Sequence, residues 1–165
     1  MIVVSDTTAL STLYLINQIE WLSTLFGQVL IPDAVYEELL ELETNGHDMT
    51  LMKEAKWLVV QSVKDQPLVT ELRQDLDQGE SEAIVLALET KADYLLIDER
   101  KGSNKADSLG VPTIGLLRVI LELKKQHIIP LVRPVLDEMR LTGGFWLSER
   151  LYLRVLEAAE EASAP

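Results

Sequence analysis

The sequence contains no cysteine and only two histidines, His47 and His127, far apart in the chain. That excludes a disulfide framework and a thiolate zinc site, and it disfavours a His-rich metal site. Any metal here would be held by oxygen, which selects Mg²⁺ or Mn²⁺ over zinc. No apolar run approaches the roughly 20 residues of a membrane helix. The N-terminus also lacks the basic flank and long apolar stretch of a signal peptide. These absences predict a cytoplasmic protein with no membrane partner. No G-x-G-x-x-G follows the first apolar run, which disfavours a dinucleotide-binding oxidoreductase. Internal repeats and low-complexity segments are absent as well.

What is present suits a sizeable core: 165 residues, 47% hydrophobic and 25% charged. The formal charge of −12 argues against nucleic acid as a partner, but it is unevenly spread. Residues 37–93 carry 14 acidic and 5 basic groups, whereas residues 98–140 carry 6 acidic and 8 basic. A local basic face can still track a phosphate backbone, and bound divalent ions would offset some of the acidity.

Short β-branched runs predict strands at Ile2–Val4, Gln28–Ile31, Leu58–Val63, Tyr94–Ile97 and Val111–Ile114. Helical spacing recurs between them, at Thr8–Ile16, Glu20–Phe26, from Asp33 onward, Gly79–Lys91 and Leu116–Lys125. Residues 43–57 read as a loop ("ETNGHD") before a short helix. Buried strands alternating with helices predict an α/β fold with an open parallel sheet covered on both faces. Past Ile114 the chain reads as helices only, ending in an amphipathic helix over Glu149–Ala162 with Leu151, Val155, Leu156 and Ala159 as its stripe and Tyr152 beside it. The expected division is therefore 1–114 as an α/β domain and 115–165 as a helical extension, packed on that domain or on a second subunit. Phe145 and Trp146 are expected in the core.

Four acidic positions stand out. Asp6 ends the first strand in "IVVSDTTAL", Glu38 follows the second strand, Glu80 opens the helix after Gly79, and Asp98 ends "YLLID". In a parallel sheet the strand C-termini and the helix N-termini share one edge, where ligands bind. Each acid also has a simpler reading, Asp6 as a helix cap and Glu80 as a first-turn acid favoured by the dipole. Convergence of four carboxylates on one edge calls for a cation or a proton between them. At roughly 100° per residue, Ile84 and Ala87 fall within about 40° of Glu80, so Glu80 is expected to point inward. Glu82 falls near Glu89 on the more polar side and is the runner-up. Glu38 lies on the stripe of Val35 and Leu42, with Glu37 and Glu41 on its polar flank.

These stretches together resemble the PIN-domain family. "VSDTTAL" resembles its first motif, "IPDAVYEELL" its second, and "DQGESEAIVLALETKADYLLIDERKG" its third and fourth acidic motifs. Glu80 stands 18 residues before Asp98 and Glu82 stands 16, and the family's spacing matches the former. The resemblance covers residues 2 to about 114, and the remainder is similar to an extension in one prokaryotic subgroup. It implies a PIN-like fold and a Mg²⁺- or Mn²⁺-dependent endoribonuclease, and, as many prokaryotic members are, the toxin of a VapC-type pair with an antitoxin protein. Asp6, Glu38, Glu80 and Asp98 would hold the metal, with Glu82 as substitute for Glu80. Thr8 would orient Asp6 or a metal-bound water, and Arg100, Lys101 and Lys105 would hold RNA phosphates. A homodimer is expected, because PIN proteins commonly self-associate. Two departures stand against activity: a Glu where common toxins have Asp, and the strongly acidic balance. The alternative is a PIN-like module that binds RNA or protein without cutting. Phosphoryl transfer through Asp6 fits poorly, since that chemistry wants a second Asp at position 8, which is Thr.

Overall fold

A computed structural model describes residues 1–162. The end of the 115–165 segment, residues 163–165, lies outside the described residues. Five short strands form one parallel sheet: β1 (Val3–Ser5), β2 (Val29–Ile31), β3 (Leu58–Val60), β4 (Tyr94–Leu96) and β5 (Thr113–Ile114). Ten helices accompany them among the described residues: α1 (Thr7–Leu15), α2 (Glu20–Phe26), α3 (Asp33–Thr44), α4 (Thr50–Glu54), α5 (Gln66–Leu72), α6 (Gln78–Thr90), α7 (Arg100–Ser108), α8 (Leu116–Lys125), α9 (Arg133–Leu141) and α10 (Glu149–Ala158). The expected parallel α/β class is the observed one.

The strand order is β3-β2-β1-β4-β5. Sequence order therefore reverses between β1 and β4, and a parallel sheet opens a crevice beyond its strand C-termini at such a switch point. The register is set by Val4 opposite Leu95 and Ser5 opposite Leu96, and the Asp6 N–H donates to the Leu96 carbonyl at 2.9 Å. Asp6 and Asp98, which follow these two strands, are thus delivered to the same crevice.

Helix α6 lies at the centre of the packing, against β1, β4, α3, α5 and α7. Every residue from Gly79 to Ala87 is buried. This corrects the helical-wheel expectation for Glu82, which is only 6% exposed. A wheel assumes one wet face, and α6 has none along its first two turns.

The helices after β5 contribute Leu116, Val119, Ile120, Leu123, Leu136, Met139, Val155 and Leu156 to the same contiguous hydrophobic cluster as the sheet residues Val4 and Leu95. In α10 the buried stripe is Tyr152, Val155 and Leu156, so Tyr152 lies inside and Leu151 is partly exposed. The Tyr152 hydroxyl donates to Asp137 at 2.7 Å, which lets the ring be buried without an orphaned O–H. The helix ends at Ala158 rather than at Ala162. Beyond it Glu160 takes a left-handed conformation, and the buried Glu161 carboxylate turns back to accept the N–H groups of Val132 (2.7 Å) and Arg133 (3.0 Å). Those bonds satisfy free donors at the start of α9. Phe145 packs on the core as expected, but Trp146 is 85% exposed.

Candidate functional site

The site is built from four chain segments that reach the β1–β4 crevice. Asp6 occupies the N-cap position of α1, yet its side chain makes none of the capping hydrogen bonds. The capping explanation therefore fails for this carboxylate, which is 6% exposed. Burial pushes its pKa up to about 7; the Thr7 backbone N–H pulls the other way, and the charges of Asp77, Glu38 and Asp98 add to the rise.

Glu38, from α3, is half-buried and accepts from the Thr7 hydroxyl through Oε2. Burial raises its pKa, opposed by the Thr7 hydroxyl, and the Asp77 charge raises it further. A Cβ placed on Gly79 would stand 2.5 Å from Glu38 Oε1, so glycine here leaves the Glu38 carboxylate its place. Thr8 is exposed and its side chain makes no hydrogen bond among the described residues. Thr7 is the hydroxyl that touches a site carboxylate. Nothing in "SDTTAL" distinguishes the two threonines until the phase of α1 is known.

Glu80 and Glu82 leave the same buried helix turn, and their surroundings differ. Glu82 accepts from the Ala34 N–H at 3.2 Å and from Gln78 Nε2 at 2.8 Å, which fastens the start of α3 to α6. Both of its oxygens are thus occupied. Glu80, 3% exposed, shares a capping box with Asp77: its N–H donates to Asp77 Oδ1 at 2.8 Å, and the Asp77 N–H donates to Glu80 Oε2 at 3.2 Å. Its Oε1 is buried with no partner. Burial, contact with Glu99 and the Asp77 charge push the Glu80 pKa up to about 8.

Asp98 follows β4. Its Oδ1 accepts from the Leu116 N–H at 2.9 Å, tying the start of α8 to the crevice, and its Oδ2 is a second buried oxygen without a partner. Burial raises its pKa against the pull of the Leu116 N–H. Asp77 was not singled out from the sequence, although its charge reaches Asp6, Glu38 and Glu80. The readable signal was "DQGE", an N-cap acid three residues before a Glu. Arg100 and Lys101 are exposed in the first turn of α7, and Lys105 lies one turn on from Lys101.

Buried carboxyl oxygens without donors, on groups whose pKa burial raises, suit a hard cation. Oxygen is also the only donor type these side chains offer. Among the described residues no three His, Cys, Asp or Glu side chains stand close enough to chelate one ion as placed.

The fold agrees with what known proteins show. The PIN-domain family matches over residues 2–161. A PilT N-terminus domain protein from the hyperthermophilic archaeon Sulfolobus solfataricus P2 is similar in structure, with a TM-score of 0.55 and 25% identity, covering 72% of this chain and 90% of that one. No curated protein matches the sequence. Among the described residues no helix is long and apolar enough to cross a membrane.

Proposed function

This chain belongs to the PIN-domain family, and from that premise we propose that it is a Mg²⁺- or Mn²⁺-dependent endoribonuclease. PIN domains are in general nucleases that use divalent metals, and the fold here is of that nuclease type. The observation that carries the reading is the pair of partnerless buried oxygens, Glu80 Oε1 and Asp98 Oδ2, at the carboxyl edge of the sheet.

In this reading Asp6, Glu38, Glu80 and Asp98 hold one or two ions. The bound metal supplies a lowered pKa for an attacking water and charge stabilisation for the phosphodiester and its leaving oxygen. The chain's own residues set the site. Thr7 fixes the Glu38 carboxylate, Asp77 fixes that of Glu80, and the Leu116 N–H fixes that of Asp98. Arg100, Lys101 and Lys105 hold flanking RNA phosphates as point charges. A role as the toxin of a toxin–antitoxin pair, with an antitoxin protein as partner, and a cytoplasmic homodimer are the finer parts of the proposal. A second reading, a module that binds RNA or protein without cutting, draws on the spacing of the four carboxylates, which stops short of chelation.

Calorimetric titration with Mn²⁺ separates the two. Asp98→Asn keeps an oxygen for the Leu116 N–H and removes the charge. Binding by the wild type that weakens about 100-fold in this variant, with loss of RNA cleavage, supports the nuclease. Absence of Mn²⁺ binding by the wild type overturns it.

A further inference from the structure

Beside the carboxylate crevice a cleft of about 460 Å³ runs between α5 and α7, within the range of about 300–1,000 Å³ usual for ligand pockets. Lys101, Asn104 and Lys105 form one wall, with Glu71 and Asp75 opposite and Leu76 among the lining. Two features set it apart. First, both walls start at the site: Asp75 and Leu76 lead directly into Asp77, and Lys101 precedes Gly102, where an added Cβ would stand 3.3 Å from Glu80 Oε1. Second, the two lysines face two carboxylates, yet among the described residues no ion pair spans the cleft. Opposite charges held apart across an open cleft leave room for a guest that carries both kinds of group.

We infer that the α5–α7 cleft is a subsite for the nucleotide next to the scissile phosphate. In it Lys101 and Lys105 hold the phosphate, while Glu71 and Asp75 select bases that carry an exocyclic amine. A nucleotide has the required polarity. Its phosphate matches the lysine wall, and the exocyclic amino group of cytosine, adenine or guanine can donate to a carboxylate, the pairing by which Glu and Asp read cytosine. Uracil has no amine and offers a carboxylate only its N3–H, flanked by two carbonyl oxygens. Asn104, with both a donor and an acceptor, completes the edge. The inference rests on the nuclease reading, because it takes the crevice as the place of the scissile bond.

The test uses the full chain and fluorescein-labelled oligo(A), oligo(C) and oligo(U) of equal length. Binding is followed by anisotropy with Ca²⁺ in place of Mn²⁺, and Mn²⁺ calorimetry is run on every variant. The substituted side chains are largely exposed, and a thermal melt checks that each variant folds. The wild type is expected to bind oligo(A) and oligo(C) several-fold more tightly than oligo(U). Lys101→Ala/Lys105→Ala weakens all three about tenfold and flattens the salt dependence by about 1.4 in log–log slope. Glu71→Gln/Asp75→Asn removes the base preference. Mn²⁺ affinity stays unchanged in both variants. No oligonucleotide binding by the wild type, equal affinity for the three, or an unchanged affinity in the lysine variant overturns the subsite while intact Mn²⁺ binding leaves the nuclease reading standing. Loss of both Mn²⁺ and oligonucleotide binding in the wild type overturns the nuclease reading itself.

Discussion

Two places in this molecule bury carboxylates, and the burial has opposite consequences. At the C-terminal lock, Glu161 accepts from Val132 N–H, Arg133 N–H and Lys124 Nζ (2.9 Å). Burial alone would raise its pKa, but those donors hold it below the ordinary carboxylate value. At the crevice, Asp6, Glu80 and the Oδ2 of Asp98 are buried with too few donors, and the three pKa values rise. The lock stabilises the fold, and the crevice destabilises it. A buried acid is therefore read by its donors and not by its depth. The same contrast recurs on α6, where Glu82 is fully partnered and Glu80 is not.

The largest expected effect breaks the contrast on α6. Glu80→Gln should lower Mn²⁺ affinity by about 100-fold or more and leave the melting temperature equal or higher. Glu82→Gln should keep Mn²⁺ affinity within a few-fold and lower stability by about 1 kcal/mol, since a charge-assisted bond to the Ala34 N–H becomes a neutral one. Calorimetry and thermal melts on the two variants check this, and a reversal of the pattern would place the ligand at Glu82.

At the lock, Glu161→Ala should cost about 2–3 kcal/mol, because it strips acceptors from two N–H groups and leaves Lys124 unpaired. For a chain of this size that is a fall of about 4–12 °C in melting temperature. Mn²⁺ binding to the folded fraction should not change.

The smallest effect lies in the pH dependence. Acids raised in the folded state stabilise it below their unfolded values, and that contribution is lost as pH rises through their folded values. Asp6, raised from 3.8 to about 7, and Glu80, raised from 4.5 to about 8, should make the metal-free protein lose stability as pH climbs from about 4 to 8. Glu161 has the opposite sign: its contribution is present above its unfolded value of 4.5 and is lost as pH falls through its lowered folded value. Asp6→Asn should accordingly raise metal-free stability at pH 8 by about 1 kcal/mol and add little at pH 4. Saturating Mn²⁺ should reduce or reverse that advantage, as chemical denaturation at the two pH values would read.

The strands were legible in the sequence because each is short, apolar, β-branched and bounded by polar turns. The four acids at the sheet edge were legible because topology fixes which ends of strands and helices share an edge. Their order in the sheet was not, since nothing local in Val3–Ser5 says that its neighbours are β2 and β4. Helices α5 and α7 escaped notice for a related reason. Each buries only two residues, Val69 and Leu72 in one and Gly102 and Ala106 in the other, too few to write a periodicity. The cleft between them was therefore invisible until the fold placed it. Glu82 misled because a wheel cannot foresee a helix enclosed on all sides, and Trp146 because an aromatic residue beside a buried phenylalanine looks like core.

The pairing of β1 with β4 also bears on how the molecule comes into being. The Ile2 N–H donates to the Asp93 side chain across 91 positions of sequence, just where these two strands start. Contacts so remote close a long loop, and that entropy is lost before the pairing rewards it. Asp6 and Asp98 meet only through that pairing, so a chain in which β1 and β4 are apart has no assembled acid site, whatever else of it has folded.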